Sequence, residues 1–263
     1  MKILAVGDPH GDLTKLKKIP LKNIDLILVT GDLGKADLMR KMAFDNLKRK
    51  GMGKPLIKYT PLQEKRAYME SFNSTMRVMR WLARYVPVYT IYGNVEMSDS
   101  DVRKFSKEFG IRLPLLGKNL RKIKNLKILN NRVVNFKGVR IVGLEYFTDV
   151  SWVKEFFPSN YLHISAAREE TKTIKKILKR FGKVDILVHH QPPYGVLDKV
   201  ASKSVPKNWK GKHAGSTVVL DYIRRKQPRY SVCGHIHEAK GTKKIGKTEV
   251  YNLGCCGYKI LDV

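Results

Sequence analysis

The sequence predicts a mixed α/β fold, and two observations carry that prediction. Near the N-terminus, apolar strands at 2–6 and 24–30 flank a short amphipathic helix at 13–19, and each strand runs into Gly-Asp. After residue 125, short apolar strands are separated by the turn sequences Asn130-Asn131 and Lys137-Gly138. The first pattern is typical of a βαβ unit and the second of a meander of hairpins. The architecture is therefore expected to change midway along the chain.

The remaining elements follow from apolar periodicity and turn residues. Further strands are predicted at 86–92, 126–130, 132–136, 139–143, 184–188, 230–233, 249–253 and 258–262. Helices are predicted over most of 38–85, with interruptions at 51–53 and 60–61, and over 101–109, 165–181 and 215–226. A chain of 263 residues that is 43% hydrophobic can bury one large core, so we expect a single domain over 1–263.

The composition is strongly basic, with 52 Lys and Arg against 23 Asp and Glu and a formal net charge of +29. Such a charge favours contact with polyanions, and it is equally typical of a Lys-rich surface without such a partner. A run of basic residues at 40–58 is interpreted as the solvated face of a helix. The three cysteines form no disulfide framework, and no apolar run reaches membrane-spanning length. We therefore expect a soluble, cytoplasmic protein without a membrane partner.

Residue types that bind metals recur where the apolar strands end. In chain order they are Asp8, His10, Asp32, Asn94, His189 or His190, His235 and His237. Open α/β sheets bind ligands at the carboxyl ends of their strands. Asp8-Pro9-His10 alone fits an Asp/Gly-rich turn, but the recurrence at later strands favours a metal site. Oxygen and imidazole donors suit Mn²⁺, Fe, Zn²⁺ or Ni²⁺, and this many donors suits two ions that share a carboxylate and act at phosphorus.

This ordered set of motifs resembles the signature of the calcineurin-like metallophosphoesterase superfamily. The matching segments are Asp8-Pro9-His10, Gly31-Asp32, Gly93-Asn94, His190 before Gln191-Pro192-Pro193, and Gly234-His235-Ile236-His237. The resemblance implies a four-layer αββα sandwich of two facing mixed β-sheets. It also implies a metal-dependent phosphoesterase, with a phosphodiesterase as the first interpretation, which hydrolyses a phosphate ester through a hydroxide that bridges two divalent metal ions. Mn²⁺ is the first choice of metal.

The resemblance further implies a role for each ligand. The first metal would be held by Asp8, His10 and His237. The second would be held by Asn94, His190 and His235, and Asp32 would bridge the two. Asp32 and Asn94 are thereby also predicted catalytic residues. His190 is preferred to His189 because the family's ligand histidine is separated by one residue from Pro-Pro, and His189 is expected to pack or to support the site.

Position 95 departs from the family pattern, which commonly reads Gly-Asn-His-Asp/Glu and uses that His to protonate the leaving oxygen. This chain has Val95 instead. Loss of a general acid costs roughly 10²–10⁴-fold in rate, so aryl phosphodiesters with good leaving groups are expected to suffer least. Lys212-His213-Ala214-Gly215-Ser216 resembles a His-x-Gly-Ser motif of archaeal members. His213 is therefore a candidate catalytic residue, as a phosphate contact or substitute acid, and a surface histidine is the alternative.

The segment around His213 raises two further expectations. Its Gly-Ser pair is expected to open a helix with free amides that face a phosphate. Just upstream, a basic loop surrounds Trp209, a pattern typical of a single-stranded nucleic-acid binder and also of an ordinary lid. The lysines of that loop are Lys199, Lys203, Lys207, Lys210 and Lys212.

Three functions stay open at this point. The first is a phosphodiesterase for a small or nucleotide-like phosphate ester. The second is a nuclease or nucleic-acid phosphatase that uses the same centre, with a nucleic acid as partner. The third is a scaffold that kept the metal-binding fold without the chemistry. The complete ligand set argues against the third, for which Val95 is the one supporting feature.

Overall fold

The computed structural model describes residues 1–202 and 205–263. The strands are, in chain order, β1 (Lys2–Val6), β2 (Leu26–Val29), β3 (Val88–Thr90), β4 (Leu126–Ile128), β5 (Arg132–Phe136), β6 (Val139–Leu144), β7 (Ile186–His189), β8 (Tyr230–Cys233), β9 (Gly241–Ile245), β10 (Thr248–Asn252) and β11 (Tyr258–Asp262). The α-helices are α1 (Leu13–Leu16), α2 (Asp37–Gly51), α3 (Pro61–Leu82), α4 (Asp99–Glu108), α5 (Leu116–Leu120), α6 (Val150–Phe156), α7 (Tyr161–Phe181) and α8 (Thr217–Lys226). Across these described ranges, no helix combines the length and hydropathy needed to cross a membrane.

The strands form two mixed sheets. The first has the order β11-β1-β2-β3-β4, with β1 to β4 parallel and β11 antiparallel to β1. The second has the order β5-β6-β7-β8-β10-β9, in which the edge strands β5 and β9 run antiparallel to their neighbours. Because parallel neighbours end at the same edge, the loops after β1, β2 and β3 lie side by side, and so do the loops after β7 and β8.

Alternate residues of β1 face opposite layers, which shows how the sheets stack. Ile3 and Ala5 face the second sheet, whereas Leu4 and Val6 face helices. The core between the sheets draws on both, and its members include Leu26, Leu28, Ile186, Val188 and Val232. On the far side of the second sheet, another core joins it to α7 and α8. The layers run helix, sheet, sheet, helix, which confirms the predicted αββα sandwich.

Strands β1 and β2 carry the first two candidate loops, and both are covered on both faces. Every residue from Ile3 to Val6 and from Leu26 to Val29 is buried. Burial of one Val, Leu or Ile side chain contributes about 1.5–3 kcal/mol, so these strands anchor the loops that follow them. Strands covered on both faces are also continuous apolar runs in the sequence, which is why they could be recognised there.

The predicted meander of three strands is wrong. β4 pairs in parallel with β3 in the first sheet, and β5 and β6 form an antiparallel hairpin in the second. The chain crosses between the sheets at 129–131. There the Leu129 amide donates to the Thr90 carbonyl of the first sheet at 2.7 Å, and Asn130 bridges to Gly143 of the second. An apolar run beside a turn does not reveal which sheet it joins, so adjacent strands looked like one meander.

Three elements were not predicted, namely α5, α6 and β9. β9 is an edge strand whose middle residues are exposed, so it lacks the apolar run that marked the other strands. α5 and α6 are short, with 5 and 7 residues, which is too few for a helical period to stand out. α7 begins at Tyr161 rather than at 165, and α1 ends at Leu16 rather than at 19.

Helix α2 differs from the other long helices because none of its residues is buried. It packs on α3, which begins with Pro61 after a reciprocal cap between Thr60 and Gln63. The helical region is interrupted near both predicted places, but as one non-helical stretch over 52–60, so the residues between the two predicted interruptions are not helical. α2 is thus a helix on the surface, and its position relative to the strand-end loops matters for the site.

Candidate metal centre

The strand-end loops present the predicted ligands, and three of these residues have an unusual backbone. His10, Asp32 and His235 have φ angles of 43°, 45° and 64°, in the left-handed region that residues with a side chain rarely adopt. Each such conformation costs about 1–3 kcal/mol and persists where the surrounding structure holds it. The His10 amide donates to the Asp32 carbonyl at 2.9 Å, and the His235 amide donates to Asp8 Oδ2 at 2.6 Å. The loops therefore hold one another through the candidate ligands.

Asp8, His10 and His237 bring their donor atoms together. His237 Nε2 lies 3.1 Å from Asp8 Oδ2 and 3.3 Å from His10 Nε2. Asp8 is fully buried, and Thr30 Oγ1 donates to its Oδ1 at 2.7 Å. One ligand atom from each of the three residues lies within 4.8 Å of the others, a spacing that suits a shared metal ion. These are the residues predicted for the first metal.

Asn94, His190 and His235 form a second group. Asn94 Oδ1 lies 2.9 Å from His190 Nε2 and 2.9 Å from His235 Nδ1. His190 Nδ1 lies 2.9 Å from the Thr30 carbonyl, which makes Nδ1 the donor. In the neutral ring Nε2 then has only a lone pair, and it faces an amide oxygen, which is also an acceptor. Two acceptors in contact are stabilised by a cation or a proton between them, so this geometry fits a metal ion.

Asp32 lies between the two groups. Its Oδ2 is 3.6 Å from His10 Nε2, its Oδ1 is 3.5 Å from His190 Nε2, and only 2% of its side chain is exposed. Asp8 belongs to the first group and is also close to the second, because its Oδ1 lies 3.8 Å from His190 Nδ1. Asp8, Asp32 and His190 accordingly form another set of potential ligand atoms within 4.8 Å. The structure brings all the predicted ligands to one place, and the bridging role of Asp32 stays a prediction.

The surroundings of Asp8 and His235 favour the forms of these two residues that bind metals. Burial alone would raise the pKa of Asp8, but the charge of His190 and hydrogen bonds from His237 and the His235 amide outweigh it and lower that pKa. Burial holds the pKa of His235 well below its usual value, so its ring is neutral and keeps a lone pair for a metal. Burial also opposes charge on His190, but Asp32 and Asp8 raise its pKa. The carboxylates thus favour a positive charge at His190, whether proton or cation.

His189 is next to His190 in the sequence but takes no part in either group. Its Nδ1 lies 2.6 Å from the Gln191 carbonyl and its Nε2 lies 2.7 Å from Ser231 Oγ, so both ring nitrogens have partners inside the protein. Burial lowers the pKa of this ring to about 4. His189 is therefore a neutral core histidine, and the nitrogen that meets Asn94 belongs to His190.

Residues 1–239 match the family model described as calcineurin-like phosphoesterase. The chain belongs to this family. It is 39% identical over 74 residues to human metallophosphoesterase domain-containing protein 1, a match that covers 28% of this chain and 21% of that protein. A UPF0046 protein of Caenorhabditis elegans is 25% identical over 173 residues, which is 65% of this chain and 56% of that protein. The chain thus spans less than two thirds of the length of either relative.

A solved structure shares the fold with a TM-score of 0.63 and 19% identity, over 99% of this chain and 94% of that chain. At this identity the likeness concerns the fold alone. The likeness extends over both sheets. The resemblance inferred from the strand-end motifs is confirmed.

In this calcineurin-like phosphoesterase, Glu96 supports the centre and was missed by the sequence reasoning. Its carboxylate accepts the amides of Asp32 at 3.0 Å, Leu33 at 2.8 Å and Gly93 at 2.8 Å. Burial, followed by the charge of Asp32, raises its pKa to about 7. A Cβ on Gly93 would lie 2.3 Å from Asp32 Oδ1, so this position requires glycine. Through these hydrogen bonds, Glu96 connects the loop after β2 to the loop after β3. The sequence signal that could have identified it is its position two residues after Asn94.

A cavity of about 400 Å³ opens over the candidate ligands. Its floor includes Asp32, Asn94, His235 and His237. Its apolar side includes Trp152, Phe156, Trp209, Ala214 and Ile236. Ala214 and Ile236 belong to predicted motifs and Trp209 to the predicted basic loop, whereas Trp152 and Phe156 lie on α6, away from the strand ends where ligands were sought.

Helix α2 contributes Arg40 and Phe44 to the same cavity, one helical turn apart. Arg40 Nη2 lies 3.0 Å from His10 Nε2 and 4.0 Å from Asp32 Oδ2. The interpretation of the basic run at 40–58 as a solvated face is therefore wrong for its first member. No local pattern distinguishes Arg40 from its basic neighbours, since the contact depends on where α3 places α2.

The two positions linked to proton transfer lie at the margin of the cavity. Val95 is buried and absent from the cavity lining, and its amide donates to Asp32 Oδ1 at 3.0 Å. His213 Nδ1 lies 2.7 Å from Asp198 Oδ1, and Asp198 is buried. His213 is absent from the cavity lining, whereas its neighbour Ala214 belongs to that lining.

The amides of Gly215 and Ser216 are not free for a phosphate, contrary to the prediction. The Gly215 amide donates to Asp198 Oδ2 at 3.1 Å, and the Ser216 amide donates to the Pro192 carbonyl at 2.8 Å. The Ser216 side chain caps α8 by accepting the Val219 amide. Lys203 of the predicted basic loop lies outside the described residues.

Proposed function

We propose that this chain is a metal-dependent phosphodiesterase that hydrolyses a phosphate ester at a binuclear centre. The observation that carries the proposal is the meeting of two donor groups on either side of Asp32. Asp8, His10 and His237 would hold one divalent ion, and the other would be held by Asn94, His190 and His235. The donors suit Mn²⁺ first, with Fe, Zn²⁺ and Ni²⁺ as alternatives. When bound, the two ions would neutralise charge at phosphorus and supply an activated water.

The chain's own residues would position the ester and offset the negative charge of its phosphate. Arg40 stands 3.0 Å from a ligand of the first group and offers a guanidinium to a phosphate oxygen. Its side chain is 43% exposed, so it can turn from His10 toward a substrate. The cavity lining combines these candidate ligands with aromatic and aliphatic residues, which supports an ester with an organic group on the phosphorus. Arg40 is thus proposed as the phosphate-positioning residue.

Proton supply to the leaving oxygen is the weak step, because Val95 carries no acid. The Asp198–His213 pair is the remaining candidate. Asp198 fixes Nδ1 of the ring at 2.7 Å, so in the protonated ring Nε2 becomes the free donor. His213 is 30% exposed and precedes Ala214 of the cavity lining. We keep His213 as the proposed acid, with aryl esters as the substrates that need it least.

The test is a metal-by-substrate screen on the purified chain. After chelation and dialysis, the protein is reloaded with Mn²⁺, Fe²⁺, Zn²⁺ or Ni²⁺ and assayed with bis-para-nitrophenyl phosphate and para-nitrophenyl phosphate. Metal content is measured in parallel by mass spectrometry. We expect about two metal ions per chain and faster hydrolysis of the diester than of the monoester. Two bound metals without hydrolysis of either ester would reject the phosphodiesterase and leave the scaffold reading.

A second function, a nuclease or nucleic-acid phosphatase, is favoured by a basic groove beside the centre. Lys17, Arg77, Arg80 and Arg84 line this groove together with Trp81. The groove shares Leu13, Lys17 and Arg77 with a second depression, which is also lined by Gly11, the residue that follows His10 in the chain. Binding of single-stranded oligonucleotides would be measured across a salt series. Affinity that falls steeply with salt supports this function, and no binding at low salt rejects it.

Two further predictions concern the domain organisation of the chain and its location in the cell. A single domain over 1–263 and a cytoplasmic location both stay predictions from composition. Size-exclusion chromatography with limited proteolysis tests the first, since a single domain yields one resistant core. Localisation of a tagged chain in its own cells tests the second.

A further inference from the structure

We propose that the apolar side of the cavity binds a planar aromatic group attached to the substrate's phosphate. The surface formed by Trp152, Phe156 and Trp209 is named the ring wall. The substrate class would then be an aryl or nucleoside ester rather than an alkyl ester. This inference rests on the proposed function for the chemistry, but its binding step stands on separate observations.

The ring wall is preorganised by rings packed behind it. The ring centroids of Phe156 and Trp209 are 5.0 Å apart and cross at 75°, and those of Trp152 and Phe156 are 5.5 Å apart. Phe157 packs behind the wall, with its centroid 5.5 Å from those of Trp152 and Trp209. Edge-on and tilted packing of this kind is favourable for aromatic pairs. A surface whose rotamers are already fixed loses little entropy when it binds a flat ligand.

The backbone under the ring wall is also fixed. α6 places Trp152 and Phe156 one turn apart on the same face. Its N-cap, Asp149, is fully buried, accepts the Ser151 amide at 2.8 Å and bonds to Ser216 of the α8 cap at 2.5 Å. The caps of α6 and α8 therefore share one carboxylate, which holds the wall against the second sheet.

The rings do more than complete a small core. Phe156 is buried with Val200, Ala214 and Ile236, as core residues are. Trp152 and Trp209 are partly exposed, and both line the cavity that contains Asp32, Asn94 and His235. The uncovered part of each indole thus borders the same space as the candidate metal ligands. A ring attached to a phosphate at those ligands would lie within the same cavity.

The α2 side of the cavity points to the same ligand. Phe44 is 38% exposed and lines the cavity, although no residue of α2 is buried. Core packing therefore gives no reason for an aromatic side chain there. Arg40, one turn earlier, supplies the positive charge for the phosphate. A cationic side chain beside the candidate ligands and rings in the lining of the same cavity match a ligand with a phosphate at one end and a flat group at the other.

The expected gain comes from stacking. Stacking of a base on an aromatic side chain corresponds to roughly 5- to 150-fold in affinity. We therefore expect the ring-bearing member of a matched ligand pair to bind at least about tenfold more tightly than the member without a ring. Phosphonates suit this measurement because their carbon–phosphorus bond is not an ester and is not hydrolysed.

The experiment compares phenylphosphonate with methylphosphonate on the Mn²⁺-loaded chain, by calorimetry and by tryptophan fluorescence. The chain has three tryptophans, and Trp81 lies outside this cavity. We expect phenylphosphonate to bind more tightly and to quench fluorescence, and Trp209→Leu to remove most of the affinity ratio. Tyr85→Leu, at an exposed aromatic residue outside the cavity, is the control and should keep the ratio. Phe44→Ala, on a helix without buried residues, is a second variant that should reduce the ratio without endangering the fold.

The outcomes separate two ligand sources and two hypotheses. If an adenosine phosphonate with carbon in place of the 5′ oxygen binds more tightly than phenylphosphonate, the ligand is a nucleotide; the reverse order indicates an aryl ester. Equal affinity for phenylphosphonate and methylphosphonate, or an unchanged ratio in both Trp209→Leu and Phe44→Ala, overturns the inference. Ring-dependent binding without hydrolysis of any ester keeps this inference and rejects the phosphodiesterase. Hydrolysis of an ester together with equal affinities for the two phosphonates overturns this inference and keeps the phosphodiesterase.

Discussion

The floor and the rim of the cavity are built in opposite ways. On the floor, Asp32 is almost completely buried, as are the neighbouring candidate ligands Asp8 and His190. All three follow buried strands and are held by hydrogen bonds between loops. The rim consists of Arg40 and Phe44, which lie on α2, a helix without a single buried residue. A change on the floor therefore disturbs the packed core, whereas a change on the rim leaves the core intact. We infer that the floor fixes the reaction and the rim selects the substrate.

The largest effect is expected from Asp32→Asn, which removes a negative charge from between the two donor groups. Activity should be abolished and at least one metal site weakened, because two cations lose the anion they share. Metal content and turnover are measured together. Asp37→Asn is the matched control, since Asp37 is 64% exposed and forms a surface ion pair with Lys35. Full turnover with both metals retained would remove Asp32 from the bridge.

The adjacent histidines provide the next test, because they separate binding of metal from packing. His190→Ala should deplete the second metal with little effect on the first. His189→Ala should keep both metals and lower the free energy of unfolding by about 1–3 kcal/mol, since Ser231 and the Gln191 carbonyl lose their partner. Metal analysis and denaturant unfolding are measured on both variants. The opposite ranking would mean that His189 is the ligand.

The rim is tested by Arg40→Ala, for which a smaller and different effect is expected. A hydrogen bond to a charged phosphate contributes about 1.5–3 kcal/mol, so KM should rise roughly 10- to 100-fold while metal content and stability stay unchanged. Arg40→Lys should recover part of the loss, because lysine keeps the positive charge but lacks the paired N–H donors of the guanidinium. Lys41→Ala is the control on the neighbouring position. An unchanged KM together with lost metal would place Arg40 on the floor instead.

The floor could be predicted from the sequence for the same reason that it is rigid. Each ligand lies within four residues of the end of a buried strand, so a continuous apolar run marks its position. The rim gives no such signal. Arg40 reaches the ligands because α3 positions α2, and Phe156 meets Trp209 because α6 and a later loop pack together. Contacts of this kind depend on tertiary structure, as did the choice of sheet for β4.

The smallest effect is expected at position 95, which lies between floor and rim. Val95 has its amide on Asp32 but its side chain is absent from the cavity lining. If a side chain here can reach the leaving oxygen, Val95→His should speed alkyl esters more than aryl esters, because an acid removes the charge that builds on a poor leaving group. We expect a gain of about tenfold at most, below the roughly 10²–10⁴-fold of a well-placed acid.

The pH profile makes this last test decisive. An imidazole donates its proton only below its pKa, so the alkyl-ester rate of Val95→His should gain a descending limb as pH rises through neutrality. The competing donor is His213, whose ring is already oriented by Asp198. If His213 supplies the proton, His213→Ala should steepen the dependence on leaving-group basicity in the wild-type background, and Val95→His should gain little. Equal effects of Val95→His on aryl and alkyl esters, with an unchanged pH profile, would mean that position 95 faces away from the leaving group and that Val95 is there to pack.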